Sequence, residues 1–184
     1  MFIIKENYYL YIQNLKDIDV SALKVANKFN IILRHPKNNE INKIINFRKK
    51  CKYKRIKFYI ANNSTIAQKC KADGLYISSY NKKKYYLNIR KIGSAHNLRE
   101  INEKIKQKCD IILFSRLFKT NYVNKKSFYG VVKFNLITKN FITKIIPLGG
   151  IRISNILKLN MIKSRGFAFL SEAKKKPAFL SRLF

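Results

Sequence analysis

The chain has 184 residues, 47% of them apolar, which excludes disorder over most of its length and suits one domain with a sizeable core. Its formal net charge of +31 would attract anionic ligands. However, 31 of the 40 basic residues are lysine, and isoleucine, asparagine, phenylalanine and tyrosine are abundant as well. All five of these residue types are encoded by A/T-rich codons. We therefore assign most of the charge to codon bias and expect no nucleic-acid partner, because the arginine fork that favours phosphate and base recognition is scarce.

The cysteines and the apolar segments indicate which kinds of site and which cellular location to expect. Cys51, Cys70 and Cys109 are odd in number and widely spaced, which predicts core or surface thiols and neither a disulfide framework nor a zinc site. The first residues lack a long apolar stretch, and no run approaches 18 apolar residues. We expect a cytoplasmic protein with no membrane partner, and the sequence assigns no oligomeric state.

Eight short apolar runs follow one another along the chain and predict eight β-strands. In chain order they are Tyr8–Ile12, Asn30–Leu33, Ile56–Ile60, Gly74–Ile77, Leu87–Ile92, Ile111–Phe114, Ile142–Leu148 and Phe167–Leu170. Most intervening stretches have helical periodicity, as in 20–29 and 41–47. Strands that alternate with helices pair in parallel, which predicts an α/β fold. Eight such units predict a single (β/α)8 TIM barrel over residues 1–184, and an open doubly wound sheet is the alternative.

The connections show where helices begin and where they are shortened. Asp19 and Ser21 flank the first helix, Asn63 or Ser64 can cap another, and Asn97 with Glu100 has the spacing of a capping box. The crossover at 81–86 is short and basic, and the stretch 121–140 is poorly patterned. We therefore expect one or two outer helices to be shortened or replaced by loops.

The most specific motif is the apolar strand that runs into two glycines, IIPLGGIRISN at 145–155. Paired glycines let a phosphate approach backbone N–H groups, and a following helix with Ser154 and Asn155 in its first turn adds a favourable dipole. In a TIM barrel the loops after the seventh and eighth strands form the usual phosphate site. The motif predicts phosphate binding, with a simple tight turn as the alternative.

An ordered set of segments resembles the thiamine phosphate synthase/TenI superfamily. The segments are ILR (32–34), KFYIANN (57–63), ADGLYIS (72–78), GSAHNLRE (93–100), ILFSRLFKT (112–120), PLGGI (147–151) and GFAFLSE (166–172). The resemblance implies a single barrel that joins hydroxymethylpyrimidine pyrophosphate to thiazole phosphate. Pyrophosphate is then released, with Mg²⁺ bridging the leaving group.

The resemblance also implies three catalytic residues. Arg34 matches the arginine that contacts pyrophosphate at the end of the second strand, although Ile32 and Pro36 replace a glutamine and a lysine. Ser94 and His96 match a Ser-x-His/Thr turn after the fifth strand. The tautomerase branch has a histidine after the sixth strand where this chain has Arg116, which disfavours that activity.

Six further positions match the family's substrate and phosphate contacts. They are Thr120, Lys125, Gly149, Gly150, Leu170 and Ser171. Lys37 or Lys126 are alternatives to Lys125 as the lysine that holds pyrophosphate.

The positions expected to bind metal depart from the family. The resemblance implies a Mg²⁺ ion held by aspartates, but Asn62 and Asn81 stand at the positions where the family has those aspartates. Because amide oxygens alone hold Mg²⁺ weakly, the residues present argue against a Mg²⁺ site.

Two functions follow from these matches. The first is a thiamine phosphate synthase-like transferase that acts on phosphorylated small-molecule substrates. The alternative is a catalytically degenerate barrel that binds a phosphorylated thiamine precursor or another phosphometabolite without the Mg²⁺-dependent reaction.

Overall fold

The computed structural model describes residues 5–23, 26–120 and 127–169, and these form a closed barrel of eight parallel strands. The strands are β1 (Asn7–Ile12), β2 (Phe29–Leu33), β3 (Lys57–Ala61), β4 (Gly74–Ile77), β5 (Arg90–Ala95), β6 (Ile111–Ser115), β7 (Lys144–Leu148) and β8 (Gly166–Phe169). Each strand pairs with the next one in sequence, and β8 closes the barrel against β1. The predicted TIM barrel is therefore confirmed, and the open sheet is wrong.

Side chains alternate between the barrel interior and the layer beneath the helices because successive residues of a strand point to opposite faces. The interior cluster includes Tyr9, Tyr11, Tyr59 and Tyr76, all buried. The outer cluster takes the alternate positions, such as Leu10 of β1. Burial on both faces explains why the strands read as continuous apolar runs.

Four α-helices and several 3-10 turns cover the barrel. The helices are α1 (Ile41–Tyr53), α2 (Ser64–Lys69), α3 (Leu98–Lys106) and α4 (Gly130–Thr138), and a 3-10 helix spans Ile153–Met161. The Asn63 side chain caps α2, and the Asn97 side chain caps α3 by accepting from the Glu100 N–H at 2.9 Å. Both caps agree with the sequence-based expectations. Within the described ranges no helix is both long and apolar enough to cross a membrane.

Two connections differ from the expectations, and a third agrees with them. The helix expected at 20–29 is represented in its described parts by the short 3-10 turns Val20–Ala22 and Ala26–Lys28. Conversely, the stretch 121–140, which is poorly patterned in the sequence, contains the helix α4. No helix separates β4 from β5, so the expected replacement of an outer helix by a loop is confirmed there. The fifth strand also begins three residues later than predicted, at Arg90.

The three cysteines are buried and unpaired, as core thiols. Burial raises the pKa of Cys51 and of Cys109 to about 12, and burial also raises the pKa of Cys70. At pH 8 a thiol of pKa 12 is ionised in roughly one molecule in ten thousand, and the thiolate is the reactive form.

We therefore expect the native protein at pH 8 to leave all three thiols unmodified by 5,5′-dithiobis(2-nitrobenzoate), and the unfolded protein to react at three sites. A Tyr53→Cys variant provides the control because this α1 side chain is 87% exposed, so its new thiol should react at once. The reaction is followed by the absorbance of the released thiolate. Rapid modification of the native wild-type protein would contradict the conclusion that its three cysteines are buried, unreactive thiols.

Candidate functional site at the barrel mouth

The residues that follow each strand lie at one end of the barrel, which we call the mouth. Beneath it, Tyr11 of β1 and Tyr76 of β4 fill the upper interior. The Tyr11 hydroxyl donates to the Tyr76 hydroxyl at 3.1 Å, and the two rings meet edge to face with centres 5.4 Å apart. Burial raises the pKa of Tyr11 well above its ordinary value and raises that of Tyr76. Both phenols therefore stay neutral and add no negative charge beneath the mouth.

Arg34 and Ser94 approach this tyrosine pair from two distant strands. The Arg34 guanidinium carbon lies 5.7 Å from the centre of the Tyr11 ring, which is cation–π distance. Ser94 of β5 is buried. Burial raises the pKa of Tyr76, and the Ser94 hydroxyl is near enough to that phenol to lower the pKa by a smaller amount. The structure thus places two of the three expected catalytic residues on either side of the hydrogen-bonded pair Tyr11 and Tyr76.

His96 pairs with a residue that sequence reasoning did not select. Its Nδ1 lies 2.6 Å from the Ser115 Oγ at the end of β6. The His96 carbonyl accepts from the Tyr129 hydroxyl at 2.7 Å, and its backbone N–H donates to Glu100 at 2.8 Å.

Glu100 also lies at the mouth, although sequence reasoning placed it only in a capping box. One carboxylate oxygen accepts from the His96 N–H and the other from the Asn97 side-chain amide at 2.9 Å. By contrast, Asp73 and Asp110 bind backbone N–H groups of Phe58 and Lys91 at the opposite end of the barrel. The carboxylates in these contacts therefore serve local structure.

Gly149 and Gly150 form a turn with φ of 92° and 71°. The chain after β6 runs beside them: the Leu117 N–H donates to the Leu148 carbonyl and the Phe118 N–H to the Gly149 carbonyl, both at 3.0 Å. A Cβ on Gly149 would lie 3.0 Å from the Arg116 side chain. Ser154 and Asn155 do fall in the first turn of the following helix, which is a 3-10 helix. The glycines thus hold Arg116 close to the expected phosphate cradle.

The remaining substrate positions are only partly described. The Thr120 hydroxyl is buried and has no hydrogen-bond partner in the described part of the chain. Lys37 is exposed near Arg34 in sequence, and His35 is exposed beside it. Lys125, Lys126, Leu170 and Ser171 lie outside the described residues.

Asn62, Ser78, Tyr80, Asn81 and Tyr85 form a hydrogen-bonded group that we call the amide cluster. The Asn62 Oδ1 accepts from the Ser78 N–H and from the Asn81 side chain, both at 3.0 Å. The Asn62 side-chain NH₂ donates to the Ser78 and Tyr80 hydroxyls, and that of Asn81 also donates to the Tyr85 hydroxyl. The Asn81 Oδ1 accepts from the Lys83 N–H at 2.9 Å. Because backbone N–H groups can only donate, they fix the orientation of both amides.

This donor set does not fit Mg²⁺. The ion needs hard oxygen ligands, usually with carboxylate charge, whereas the two amide oxygens already accept three hydrogen bonds and their NH₂ groups point at the neighbouring oxygens. Across the described ranges, no three carboxylate, histidine or cysteine side chains cluster as a metal site would require.

Comparisons with known proteins place this geometry in context. A protein-family model described as thiamine monophosphate synthase matches residues 5–173. A solved structure of thiamine phosphate pyrophosphorylase from Pyrococcus furiosus superposes with a TM-score of 0.71 at 16% identity, covering 97% of this chain and 94% of that one. The enzyme of the same description from Bacteroides thetaiotaomicron gives 0.66 at 16% identity, covering 93% and 85%.

A different enzyme shares the fold to a similar extent. The 3-keto-L-gulonate-6-phosphate decarboxylase from Vibrio cholerae superposes with a TM-score of 0.64 at 12% identity, covering 98% of this chain and 97% of that one. A comparison with curated protein sequences found no match. At these identities the structural likenesses establish the barrel fold, and the family match rests on the sequence model.

Proposed function

The chain belongs to the thiamine monophosphate synthase family, and from this we propose that it joins hydroxymethylpyrimidine pyrophosphate to thiazole phosphate at the barrel mouth. One observation supports the proposal: Arg34, which matches the family's pyrophosphate-binding residue, lies over the Tyr11 ring, and Tyr11 is hydrogen-bonded to Tyr76, whose pKa is raised by burial and lowered in smaller part by the buried Ser94. Arg34 and Ser94 lie far apart in sequence, so this convergence is a property of the folded barrel.

The reaction needs positive charge at the leaving group more than it needs proton transfer. The thiazole nitrogen donates its lone pair to the pyrimidine methylene carbon and forms a C–N bond. The C–O bond breaks, and its electrons leave with pyrophosphate. Arg34 and Arg116 are the cations at the mouth that would bind this leaving group, and fixed cations stabilise developing negative charge.

His96 and Ser115 would orient the substrates at the other side of the mouth. Their 2.6 Å contact fixes the plane of the imidazole ring at the mouth. Gly149 and Gly150 would receive the phosphate of the thiazole, as the resemblance implies.

The amide cluster favours a second candidate function. The Asn62 oxygen accepts from the Asn81 amide and the Ser78 N–H, and the Asn81 oxygen accepts from the Lys83 N–H, so neither amide oxygen is arranged as a metal ligand. A barrel with this cluster can bind a phosphorylated thiamine precursor without the Mg²⁺-dependent reaction.

The synthase proposal is tested by incubating the purified protein with both substrates and measuring thiamine phosphate after oxidation to its fluorescent thiochrome. We expect product to accumulate in proportion to enzyme concentration. If no product forms at high enzyme concentration while calorimetry still detects binding of thiazole phosphate, the transferase proposal fails and the second candidate replaces it.

A further inference from the structure

Lys104 of α3 is a completely buried cation close to the mouth. Its ammonium donates to the Ser78 carbonyl at 2.7 Å, the Asn81 carbonyl at 2.8 Å and the Gln107 side-chain oxygen at 2.9 Å. Three acceptors match the three N–H donors of the charged form, whereas a neutral amine has only two hydrogens. None of the ion pairs found in the described ranges includes Lys104. Burial lowers the pKa of Lys104 more strongly than Glu103 and Glu100, which act on its charge only through space, raise it.

Lys104 reaches this position through a gap made for it. A Cβ on Gly93 would lie 2.8 Å from the Cγ of Lys104 and 2.9 Å from its Cδ. The lysine stem therefore crosses β5 where that strand has no side chain. A buried charge is costly unless its hydrogen bonds are complete, so this packing and the three acceptors together indicate a built position and not an incidental one.

The ammonium lies directly behind the amide cluster. Two of its acceptors are backbone carbonyls of Ser78 and Asn81, whose side chains are cluster members. Gln107, also buried, donates to the carbonyls of Asn81 and Lys83 at 3.0 and 2.9 Å and fixes the same loop. The loop between β4 and β5, which has no helix of its own, is thus held from α3 by the Lys104 amino group and the Gln107 side chain.

We propose that the mouth binds its phosphorylated ligand as the metal-free anion, and that Lys104 is a positioning residue whose positive charge lies against the loop that joins β4 to β5. The inference rests on the proposed function in assuming a phosphate-bearing ligand. It goes further by naming the ionic form of that ligand and a residue that no family motif contains.

Electrostatics at the mouth support the metal-free form. Arg34, Arg116 and Lys104 bring three basic side chains to the region, and they outnumber the carboxylate of Glu100, which accepts from the His96 N–H and the Asn97 amide. A free pyrophosphate carries more negative charge than its Mg²⁺ complex, so a cationic mouth without metal ligands favours the free anion.

The test compares the affinity for inorganic pyrophosphate, by titration calorimetry, in EDTA and in excess Mg²⁺. We expect wild-type affinity in EDTA to equal or exceed that in Mg²⁺. In the Asn62→Asp/Asn81→Asp variant, we expect affinity in EDTA to fall about tenfold or more because two carboxylates oppose the anion, and Mg²⁺ to restore it.

Lys104 has a matched control on its own helix. Lys104→Met should weaken pyrophosphate binding in EDTA about tenfold, whereas Lys106→Met, which removes an exposed charge, should change it less than about twofold. Equal affinities of these two variants would remove the role of Lys104. Because the wild-type comparison needs no substitution, it decides the metal question even if Lys104→Met does not fold.

Two outcomes separate this inference from the proposed function. Wild-type binding that requires Mg²⁺ overturns the inference and leaves the proposed function standing. A folded wild-type protein that binds pyrophosphate in neither condition overturns both, because the mouth is then not a phosphate site.

Discussion

Gly150→Ala is expected to lower the free energy of unfolding by about 3–5 kcal/mol, because it combines a backbone penalty with a steric clash. Gly150 has a φ of 71°, which costs an L-residue free energy. A Cβ there would also lie 2.3 Å from the Phe118 carbonyl oxygen, and that oxygen belongs to backbone and cannot rotate away. Urea denaturation followed by circular dichroism measures the loss.

Gly130→Ala is the matched control for this prediction. Gly130 has nearly the same φ, 70°, but a Cβ there would have no neighbour within 4 Å. It should therefore lose only about 1 kcal/mol, which is the backbone penalty alone. Similar losses for the two variants would show that the close contact between Gly150 and Phe118 contributes nothing to stability.

Arg34→Met is expected to weaken pyrophosphate binding about a hundredfold, or ~2.7 kcal/mol, and to reduce transferase kcat/KM by at least as much. The guanidinium is held over the Tyr11 ring, so its loss removes a pre-positioned cation and its paired N–H donors at the leaving group. Calorimetry and the thiochrome assay measure the two effects.

Two further variants sharpen this result. Arg34→Lys keeps the charge but loses the planar fork, and we expect it to recover affinity to within about tenfold of wild type. Arg165→Met makes the same chemical change at the opposite end of the barrel, because Arg165 directly precedes β8 and its side chain is 71% exposed. This variant should bind pyrophosphate as tightly as the wild-type protein does. If Arg34→Met binds pyrophosphate as tightly as Arg165→Met does, Arg34 does not contact the anion.

Local patterns were sufficient for the barrel and for several helix starts. All eight strands were predicted, and the limits of Gly74–Ile77 agree with the structure, because residues buried on both faces leave a continuous apolar run in the sequence. Asn63 and Asn97 were recognisable as caps because a cap acts within three residues of its own position. The helix α4 was missed because its turns mix exposed apolar side chains such as Val132 and Leu136 with buried Phe134, which obscures the helical period.

Chemical substitutions in the candidate site were also visible in the sequence, but their consequences were not. The sequence shows that Asn62 and Asn81 replace acids. It does not show that the two amides bind each other, because that contact depends on the left-handed backbone at Asn62, with φ of 55°, and on the path of the loop after β4.

What the sequence by itself determined is therefore the barrel, the family and the identity of the residues at strand ends, since each follows from local periodicity or from motif order. Only the tertiary structure decided which of them meet: Arg34 with Tyr11, His96 with Ser115, and Lys104 with the carbonyls of Ser78 and Asn81. The physical reason is that closing the barrel joins groups from different strands, and burial then favours arrangements in which their polar atoms find partners. Lys104 reads in the sequence as one lysine among 31, and only its burial distinguishes it.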